Sequence, residues 1–575
     1  MRRSTQPDGR AFLVLALFCL GTGFTFAQSP ANLPAEVIAY ADLVFYNGKI
    51  LTADDRFTIV EAVAIRDGKF LARGNNDRIL SMAGPGTRRI DLEGNSVDPG
   101  FIDTHLHSAF LGNIAKRGTE GRLDFEDVAS GLEELRELVS QYPAGKQLFL
   151  AGPSNRALLL EVTLAQLDAA APNNPISISC PNNQNVVNSL MLARIPADTP
   201  GILKDQNGNP TGQIRGGAAG IVKYEFMPWP DVDEMVEKQK IELERYVVQG
   251  LTTIEGRGQG LTITVFRDLW KRGELVPRIR LAMEFLRENG SPEAYLKRLG
   301  NLTDFGDDML KFFGATVQVV DGSGGAYTAD FPKIRVAESS PYDRYGQNKW
   351  EETGDVATSD RRNILLANRY GWTITAMHSQ GDQSNDVLLD VYLEAHQENP
   401  LNGRHFAIDH GDMWRPRHLD LLKEMDVIPS VFTFPISRSE GYLESYGADA
   451  LHQMLPVKSL IEAGIYPAAE ADTRPPNSAP LFQIKNFITR KDPNGRVWNP
   501  DEKISRQEAL HMYGLWAARY TGEEDLLGSI ENGKLADLVV LGGDFMTFPE
   551  DELDKLRVLM TVIDGKVAYE ASGAF

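Results

Sequence analysis

Short apolar runs separated by tight turns occupy both ends of the chain. Near the start, such runs precede and follow the Asn47-Gly48 and Asp67-Gly68 pairs; near the end, two runs flank Asp564-Gly565. Asn-Gly and Asp-Gly between apolar runs are typical of two-residue β-hairpin turns. Neither end is long enough to fold alone. Both ends are therefore interpreted as small antiparallel β pieces, and we expect them to pair into one composite β-sandwich.

The middle of the chain, residues 99–525, alternates apolar strand patterns with helical stretches such as 231–248 and 385–398. This alternation predicts a parallel α/β architecture. Eight strands are predicted, at 101–104, 251–254, 279–283, 316–320, 373–377, 406–409, 428–432 and 466–470. Eight such units predict a (β/α)8 TIM barrel.

Residues 110–245 are too many for one crossover between barrel strands. They contain strand patterns of their own at 147–151 and 175–179 and a turn-rich segment at 206–212. We interpret them as an inserted subdomain that can cover the barrel mouth. The predicted organisation is a signal peptide (1–27), the N-terminal part of the sandwich (38–98), the barrel (99–525) with its insertion, and the C-terminal part of the sandwich (526–575).

Composition narrows the partners that the protein can take. The 575 residues carry a formal net charge of −20, which disfavours nucleic acid and anionic membrane surfaces. A small-molecule substrate remains the expected partner, and a homodimer is possible. The mature chain retains Cys180 alone, because the other cysteine, Cys19, lies in the leader. An internal disulfide and a thiolate metal cluster are therefore excluded.

The first 27 residues resemble a secretory leader. Arg2, Arg3 and Arg10 precede an apolar run at 11–20; small and turn residues follow, and Thr25-Phe26-Ala27 forms a plausible cleavage site. This layout predicts a signal peptide cleaved after Ala27 and a secreted or periplasmic protein. The apolar run is too short to span a bilayer comfortably. An uncleaved N-terminal anchor is the alternative.

The stretch DPGFIDTHLH at 98–107 offers the first candidate chemistry. A short apolar strand ends in His105 and His107, and alternation places both side chains on one side of the strand. Two neutral imidazoles at a strand end favour a metal site. A pair of surface histidines is the alternative for the bare pattern.

Three more polar residues follow predicted strands: His378 after the fifth, His410 after the sixth and Asp472 after the eighth. Functional groups of a barrel gather at the carboxyl ends of its strands. Taken singly, either histidine can be a core residue and Asp472 can cap a helix. Four imidazoles and one carboxylate at equivalent ends predict a divalent metal site, with Zn²⁺ the default. No role is assigned to His396, His405, His418, His452 and His511.

Several motifs together give the chain a recognisable family likeness. They are PGFIDTHLH at 99–107, NGNPTG at 207–212, DGSGG at 321–325, HSQGD at 378–382, DHGD at 409–412, EAD at 470–472 and ENGKLADLVVL at 531–541. On these residues the chain resembles the amidohydrolase superfamily, and within it the amidohydrolase-3 branch that includes N-substituted formamide deformylases. The resemblance covers nearly the whole mature chain and implies the same barrel and composite sandwich.

The resemblance also implies roles. His105, His107, His378, His410 and Asp472 are the expected metal ligands. We expect hydrolysis of an amide-type, non-peptide carbon–nitrogen bond by metal-activated water, with Asp472 as general base and acid. Metal-dependent cleavage of an ester or lactone, and a catalytically degenerate binding or regulatory protein, are the alternatives.

Two positions depart from the family pattern. Val317 stands where the family often has a lysine that bridges two metals, so one ion is expected rather than two. Asn183 replaces a substrate-side histidine of the branch, which indicates a different substrate choice or activity. Glu255, after the second strand, can supply a substitute carboxylate, although a buried or helix-capping glutamate is the simpler interpretation.

Overall fold

The structure is a computed structural model that describes residues 40–108, 120–152, 156–180, 184–228, 231–258, 260–284, 292–316, 321, 326, 328, 330 and 360–575. The unit Ala41–Phe575 has a mixed α/β fold. The predicted signal peptide, Cys19, Val317 and Asn183 lie outside the described residues. Within these residues, no helix is both long and apolar enough to cross a membrane.

Twenty-three strands are described. They are β1 Ala41–Tyr46, β2 Lys49–Leu51, β3 Ile59–Val60, β4 Ala62–Arg66, β5 Lys69–Gly74, β6 Ala83–Asp91, β7 Ser96–Pro99, β8 Phe101–Asp103, β9 Gly121–Arg122, β10 Leu148–Ala151, β11 Ile176–Cys180, β12 Gln184–Val187, β13 Ile202–Lys204, β14 Pro210–Arg215, β15 Leu251–Gly258, β16 Arg278–Glu284, β17 Leu310–Thr316, β18 Ala407–Ile408, β19 Ile428–Val431, β20 Ala468–Ala469, β21 Leu538–Leu541, β22 Val558–Ile563 and β23 Lys566–Glu570.

The helices lie mostly between these strands. The α-helices are Asn76–Leu80, Val128–Ser140, Arg156–Leu160, Leu164–Ala170, Ser189–Leu192, Gly216–Ile221, Val232–Val247, Leu261–Arg272, Pro292–Leu299, Asp360–Arg369, Asp382–Glu398, Pro416–Met425, Phe434–Ser437, Ser439–Tyr446, Ala448–Leu451, Val457–Glu462, Pro480–Thr489, Arg506–Met512 and Leu515–Tyr520. A π-helical turn covers Val222–Phe226, and 3₁₀ turns cover Pro500–Glu502 and Glu550–Lys555.

Strands from both ends of the chain share one six-stranded sheet, in the order β23-β22-β21-β7-β2-β3. A four-stranded sheet, β5-β4-β1-β6, faces the same apolar cluster, which contains Phe45, Ile65, Val97, Val540 and Val562. Both sheets are mixed, because β1 pairs with β6 and β2 pairs with β7 in parallel. The expectation of antiparallel pieces is therefore wrong for these two pairs, whereas the other strand pairs of both sheets are antiparallel.

The Asn47-Gly48 pair does not form the expected hairpin. β1 and β2 lie in different sheets, so this turn carries the chain from one sheet to the other. A type I′ hairpin turn needs positive φ at both central residues. Asp67-Gly68 and Asp564-Gly565 meet this condition and close hairpins, whereas only Asn47 of the first pair has positive φ.

The parallel strands of the middle form two sheets, β8-β15-β16-β17 and β18-β19-β20. Two parallel bridges, Ala315 with Ile374 and His378 with Asp409, connect the segment at 372–378 to both. The first and last of these strands also meet: the N–H of Thr104, which follows β8, donates to the carbonyl of Ala469 in β20 at 3.4 Å. Residues from all these segments enter one apolar cluster, which includes Ile254, Ile279, Ile408 and Val431.

Two predicted strands differ from those observed. The fourth strand is β17, which ends at Thr316, where the predicted strand begins. Lys311 within β17 lies 2.9 Å from the Glu523 carboxylate. Because lysine is charged, the sequence pattern did not indicate a buried strand at this position. The predicted strand at 373–377 is reduced to bridges, since Ala376 has φ +53° and its N–H donates to the Tyr520 hydroxyl at 3.1 Å.

The predicted insertion has a sheet and a core of its own. Strands β9–β14 form one sheet in the order β13-β14-β12-β11-β10-β9. The turn residues of the NGNPTG segment as far as Asn209 connect β13 with β14, but its last three residues, from Pro210, already belong to β14. Leu135, Leu150 and Ile178 contribute to the apolar cluster beneath this sheet. The helix predicted at 231–248 is present as Val232–Val247, and the Asp231 side chain caps it by accepting the Glu234 N–H at 2.8 Å.

Candidate metal centre

The five predicted side chains come together at the carboxyl ends of the parallel strands. His105 and His107 follow β8, His410 follows β18 and Asp472 follows β20. His378 enters through its bridge to Asp409. Segments more than 360 residues apart in the chain therefore supply one cluster.

Two overlapping groups of side chains have the spacing of metal ligands. One ligand atom each from His105, His378 and His410 lie within 4.8 Å of one another, and so do those of His105, His107 and Asp472. His105 belongs to both groups. The His378 and His410 ring centroids are 4.0 Å apart, and the His105 ring lies 4.7 Å from that of His378.

Burial gives the cluster a closed side and an open side. His105 and His410 are 3% exposed, whereas His107 lies at the surface. Asp472 is partly exposed, and its Oδ1 lies 2.8 Å from His107 Nε2. A molecule approaching from solvent therefore meets His107 and Asp472 first.

Buried carboxylates face the outer nitrogens of two histidines. Asp409 Oδ2 lies 2.9 Å from His105 Nδ1, and the Tyr520 hydroxyl donates to Asp409 Oδ1 at 2.5 Å. Glu470 contacts His410 Nδ1 and accepts the His410 backbone N–H at 3.2 Å. A carboxylate at Nδ1 keeps the proton on that nitrogen and leaves Nε2 free as a metal ligand.

Asp103 connects the segment after β8 with the segment after β20. Its Oδ1 accepts the N–H of His105 at 3.1 Å and that of Ala471 at 3.3 Å. The Asp472 N–H donates to the His105 carbonyl at 3.0 Å. These bonds fix the main chain on which His105 and Asp472 are carried.

The surroundings of Asp472 and His378 favour the ionisation states in which these side chains bind metals. Burial opposes ionisation of Asp472, but His410, His105 and His107 outweigh it and hold the pKa of its carboxyl well below the usual value. Burial, with His410 and Arg257 nearby, holds the pKa of His378 well below its usual value. A carboxylate and a neutral imidazole are the forms that bind metals.

Burial also affects the pKa values of His105 and Glu255. It disfavours protonation of His105, yet Asp409 and Asp472 raise the pKa of this imidazole well above its usual value. The same negative charges stabilise a cation at this place. Glu255 is buried, its Oε2 lies 3.8 Å from His105 Nδ1, and burial raises the pKa of its carboxyl to about 7.

The backbone at two of these residues is unusual. His410 has φ +67° and Asp472 has φ +45°, in the left-handed region that non-glycine residues seldom adopt. Such conformations persist where the surroundings enforce them, and they cluster at functional sites. Here both residues come shortly after a parallel strand, and both belong to the candidate metal centre.

The residues fit a divalent metal. Four imidazoles and a carboxylate are the donors that zinc prefers. His378 Nε2 is buried without a hydrogen-bond partner among the described residues, as expected of a nitrogen reserved for another ligand. The five histidines without a predicted role belong to neither ligand group of the described chain.

The sequence interpretation missed the supporting carboxylates. Asp103, Asp409 and Glu470 stand inside three of the quoted motifs, one or two residues from the ligands beside them. The signal was present, but the partner of each histidine lies on another strand. Asp409 contacts His105, which is 304 positions earlier in the sequence, and no rule of local spacing predicts such a contact.

Comparison with known proteins places these features in context. Residues 88–569 match the family model described as the amidohydrolase family. The chain is 26% identical to the N-substituted formamide deformylase of Arthrobacter pascens over 93% of this chain and 99% of that one. It is 25% identical to the LONG AFTER FAR-RED 3 protein of Arabidopsis thaliana over 93% and 92%. The solved structure of an uncharacterised metal-dependent hydrolase from Pyrococcus furiosus superposes with a TM-score of 0.62 at 22% identity, over 88% of this chain and 100% of that one.

Proposed function

The chain belongs to the amidohydrolase family, and from this premise we propose that it is a metal-dependent hydrolase of a non-peptide carbon–nitrogen bond in a small molecule. One observation carries the proposal: His105, His107, His378, His410 and Asp472 meet with ligand spacing around one shared histidine. The likeness to a formamide deformylase over almost the full length of both chains supports an amide-type substrate.

We further propose that the parallel strands close into a (β/α)8 barrel beside a composite sandwich. The bridges on either side of 372–378 and the bonds between 104 and 469 support closure. The apolar cluster that β1, β4, β7, β21 and β22 share supports the sandwich.

The proposed cofactor is one divalent ion, with zinc the first choice. A bound ion of this kind lowers the pKa of water to roughly 7 and polarises a carbonyl oxygen. His105, His107 and Asp472 would hold it on the open side, with His378 and His410 opposite. One ion is preferred to two because both ligand groups need His105 and because position 317 offers no lysine.

Asp472 is proposed to move the proton. Its depressed pKa keeps it a carboxylate at neutral pH, which is the form that accepts a proton. Partial exposure places it where a substrate enters from solvent. It would take the proton of the attacking water and pass it to the leaving nitrogen.

Replacing Asp472 with Asn tests this role. The amide still fits the space and can still contact a metal, but it cannot accept a proton at neutral pH. We expect metal content to be retained and amide hydrolysis to fall by roughly 10²–10⁴-fold. Asp390→Asn, an exposed carboxylate that pairs with Arg417, is the matched control. Full turnover by Asp472→Asn would contradict the role.

Two other functions are the alternatives to this proposal. Hydrolysis of an ester or lactone would use the same side chains, and parallel screens of amides and esters separate the two. The 25%-identical Arabidopsis relative carries a name that states no reaction, which keeps a binding or regulatory role in view. Bound metal without turnover of any substrate in either screen would favour that role.

We propose that the protein is exported, on the basis of its leader sequence. The Arg2 to Ala27 segment has the layout of a cleaved signal peptide, so the mature protein would begin at Gln28 in the periplasm or outside the cell. N-terminal sequencing of material from the culture medium or periplasm tests this. A homodimer is a further expectation from the family likeness.

A further inference from the structure

Arg438 lies at the carboxyl-terminal end of the parallel strands, as the candidate metal centre does. It lies between the Phe434–Ser437 and Ser439–Tyr446 helices, in the segment that follows β19. Its N–H donates to the Phe434 carbonyl at 2.8 Å, and its own carbonyl accepts the Gly441 N–H at 3.1 Å. The backbone that carries this arginine is therefore held at both ends.

A row of aromatic contacts connects Arg438 with the centre. The Phe432 ring lies 4.9 Å from that of His410, and the Phe434 ring lies 4.4 Å from that of Phe432. The Arg438 guanidinium carbon is 3.3 Å from the Phe434 ring centroid. Stacking on an aromatic face orients the guanidinium and leaves its edge N–H groups available.

The charge of Arg438 is unmatched locally. Within the described part of the chain, no carboxylate lies at salt-bridge distance from it, although acidic residues outnumber basic ones by 79 to 59. Arg417, by contrast, contacts both Asp386 and Asp390. An exposed arginine that is held by stacking, without a counterion, is suited to an incoming anion.

The Asp472 carboxylate is one of the charges that act on Arg438. The surrounding protein lowers the pKa of the Arg438 guanidinium by partial desolvation, while the Asp472 carboxylate and the Tyr442 phenol act in the opposite direction. Arg438 is nevertheless an exposed residue, and both it and Asp472 follow parallel strands at the same end of the sheets.

We propose that Arg438 binds a carboxylate on the non-reacting part of the substrate. This inference rests on the proposed function and gives its substrate class: an amide that carries an anionic group at its far end. Two phenylalanine rings lie between the arginine and His410, so we place the anion at the end of the substrate away from the reacting bond. The planar fork of arginine matches a carboxylate with two parallel hydrogen bonds.

Binding of two matched probes tests the proposal. N-(4-carboxybenzyl)formamide and N-(4-methylbenzyl)formamide have similar shapes and differ in the charge at the far end. Calorimetry uses metal-loaded, full-length Asp472→Asn protein, so that binding is measured without turnover. We expect the carboxylate probe to bind more tightly, and Arg438→Gln to weaken that probe alone by about 10- to 100-fold. Arg438→Lys should recover only part of the loss, because lysine lacks the fork.

The control removes an equal charge elsewhere. Arg417→Gln loses an exposed arginine that is already paired, and neither probe should respond. Unchanged binding of the carboxylate probe to Arg438→Gln would place the carboxylate at the histidines instead and overturn the proposal. Equal weakening of both probes, or no binding of the carboxylate probe, would also overturn it. Failure of the proposed hydrolase function would be seen in a different measurement, because wild-type protein would then hydrolyse neither probe, whatever their affinities.

Discussion

Two of the clustered histidines each contact a buried carboxylate, Asp409 beside His105 and Glu470 beside His410. Each carboxylate lies beside an Nδ1 atom, so the Nε2 atoms are the ones available to a metal. The sequence predicted which five side chains meet here because the HxH pair and three later polar residues all follow predicted strands. It could not identify their partners, because the contact between His105 and Asp409 exists only after distant strands have paired.

Asp409→Asn should weaken metal binding. The amide keeps the size of the carboxylate but loses the negative charge that orients His105 and balances a cation. We expect the Kd for Zn²⁺, measured by competition with a chelator, to rise by about 10- to 100-fold. Asp426→Asn, whose carboxylate pairs with Arg519 away from the ligands, is the control. An unchanged Kd for Asp409→Asn would show that this carboxylate does not support the site.

Among the elements, prediction succeeded where a local rule determines the outcome. The Asp67-Gly68 and Asp564-Gly565 hairpins and the Val232–Val247 helix follow from turn residues and a capping aspartate. It failed where tertiary contacts decide. Lys311 lies in a strand because Glu523 accepts its charge, and Ala376 interrupts the expected fifth strand, where its N–H bonds to Tyr520.

Gly100 shows how closely β8 approaches its neighbour. A Cβ atom at this position would meet the Thr252 side chain at 2.3–2.8 Å. Gly100→Ala should therefore lower the free energy of unfolding by roughly 1–3 kcal/mol, the usual cost of overpacking. In a Thr252→Ala background, where Oγ1 and Cγ2 are absent, the same change should cost less. Denaturant unfolding of the four proteins measures this coupling, and equal costs in both backgrounds would exclude the contact as the cause.

At the scale of the whole molecule, buried ion pairs connect the parallel strands to the C-terminal segment. Arg278, which begins β16, donates to both oxygens of Asp537 at 2.7 and 2.9 Å just before β21. Arg280 donates to Glu523 in the same way. The sequence predicted that the two chain ends pair, but nothing local indicated that arginines inside strand patterns anchor them to the middle of the chain.

Asp537→Asn should destabilise the protein strongly. The substitution leaves the Arg278 charge buried beside a neutral amide, and removing one member of a buried pair costs about 3–5 kcal/mol. Asp551→Asn, which breaks an exposed pair with Lys491, should cost no more than about 1 kcal/mol. Urea unfolding of the full chain compares the two. Similar costs would mean that the buried pair contributes no more than a surface contact.

The metal content of the purified protein tests the central claim most directly. Elemental analysis of wild-type protein should find one zinc or other divalent ion per chain, and a variant with both His105 and His378 replaced by Ala should lose it. Loss in that variant would locate the ion at the clustered side chains. A wild-type protein that binds no divalent ion, or a variant that keeps its ion in full, would contradict the assignment of this cluster as a metal-dependent hydrolytic site.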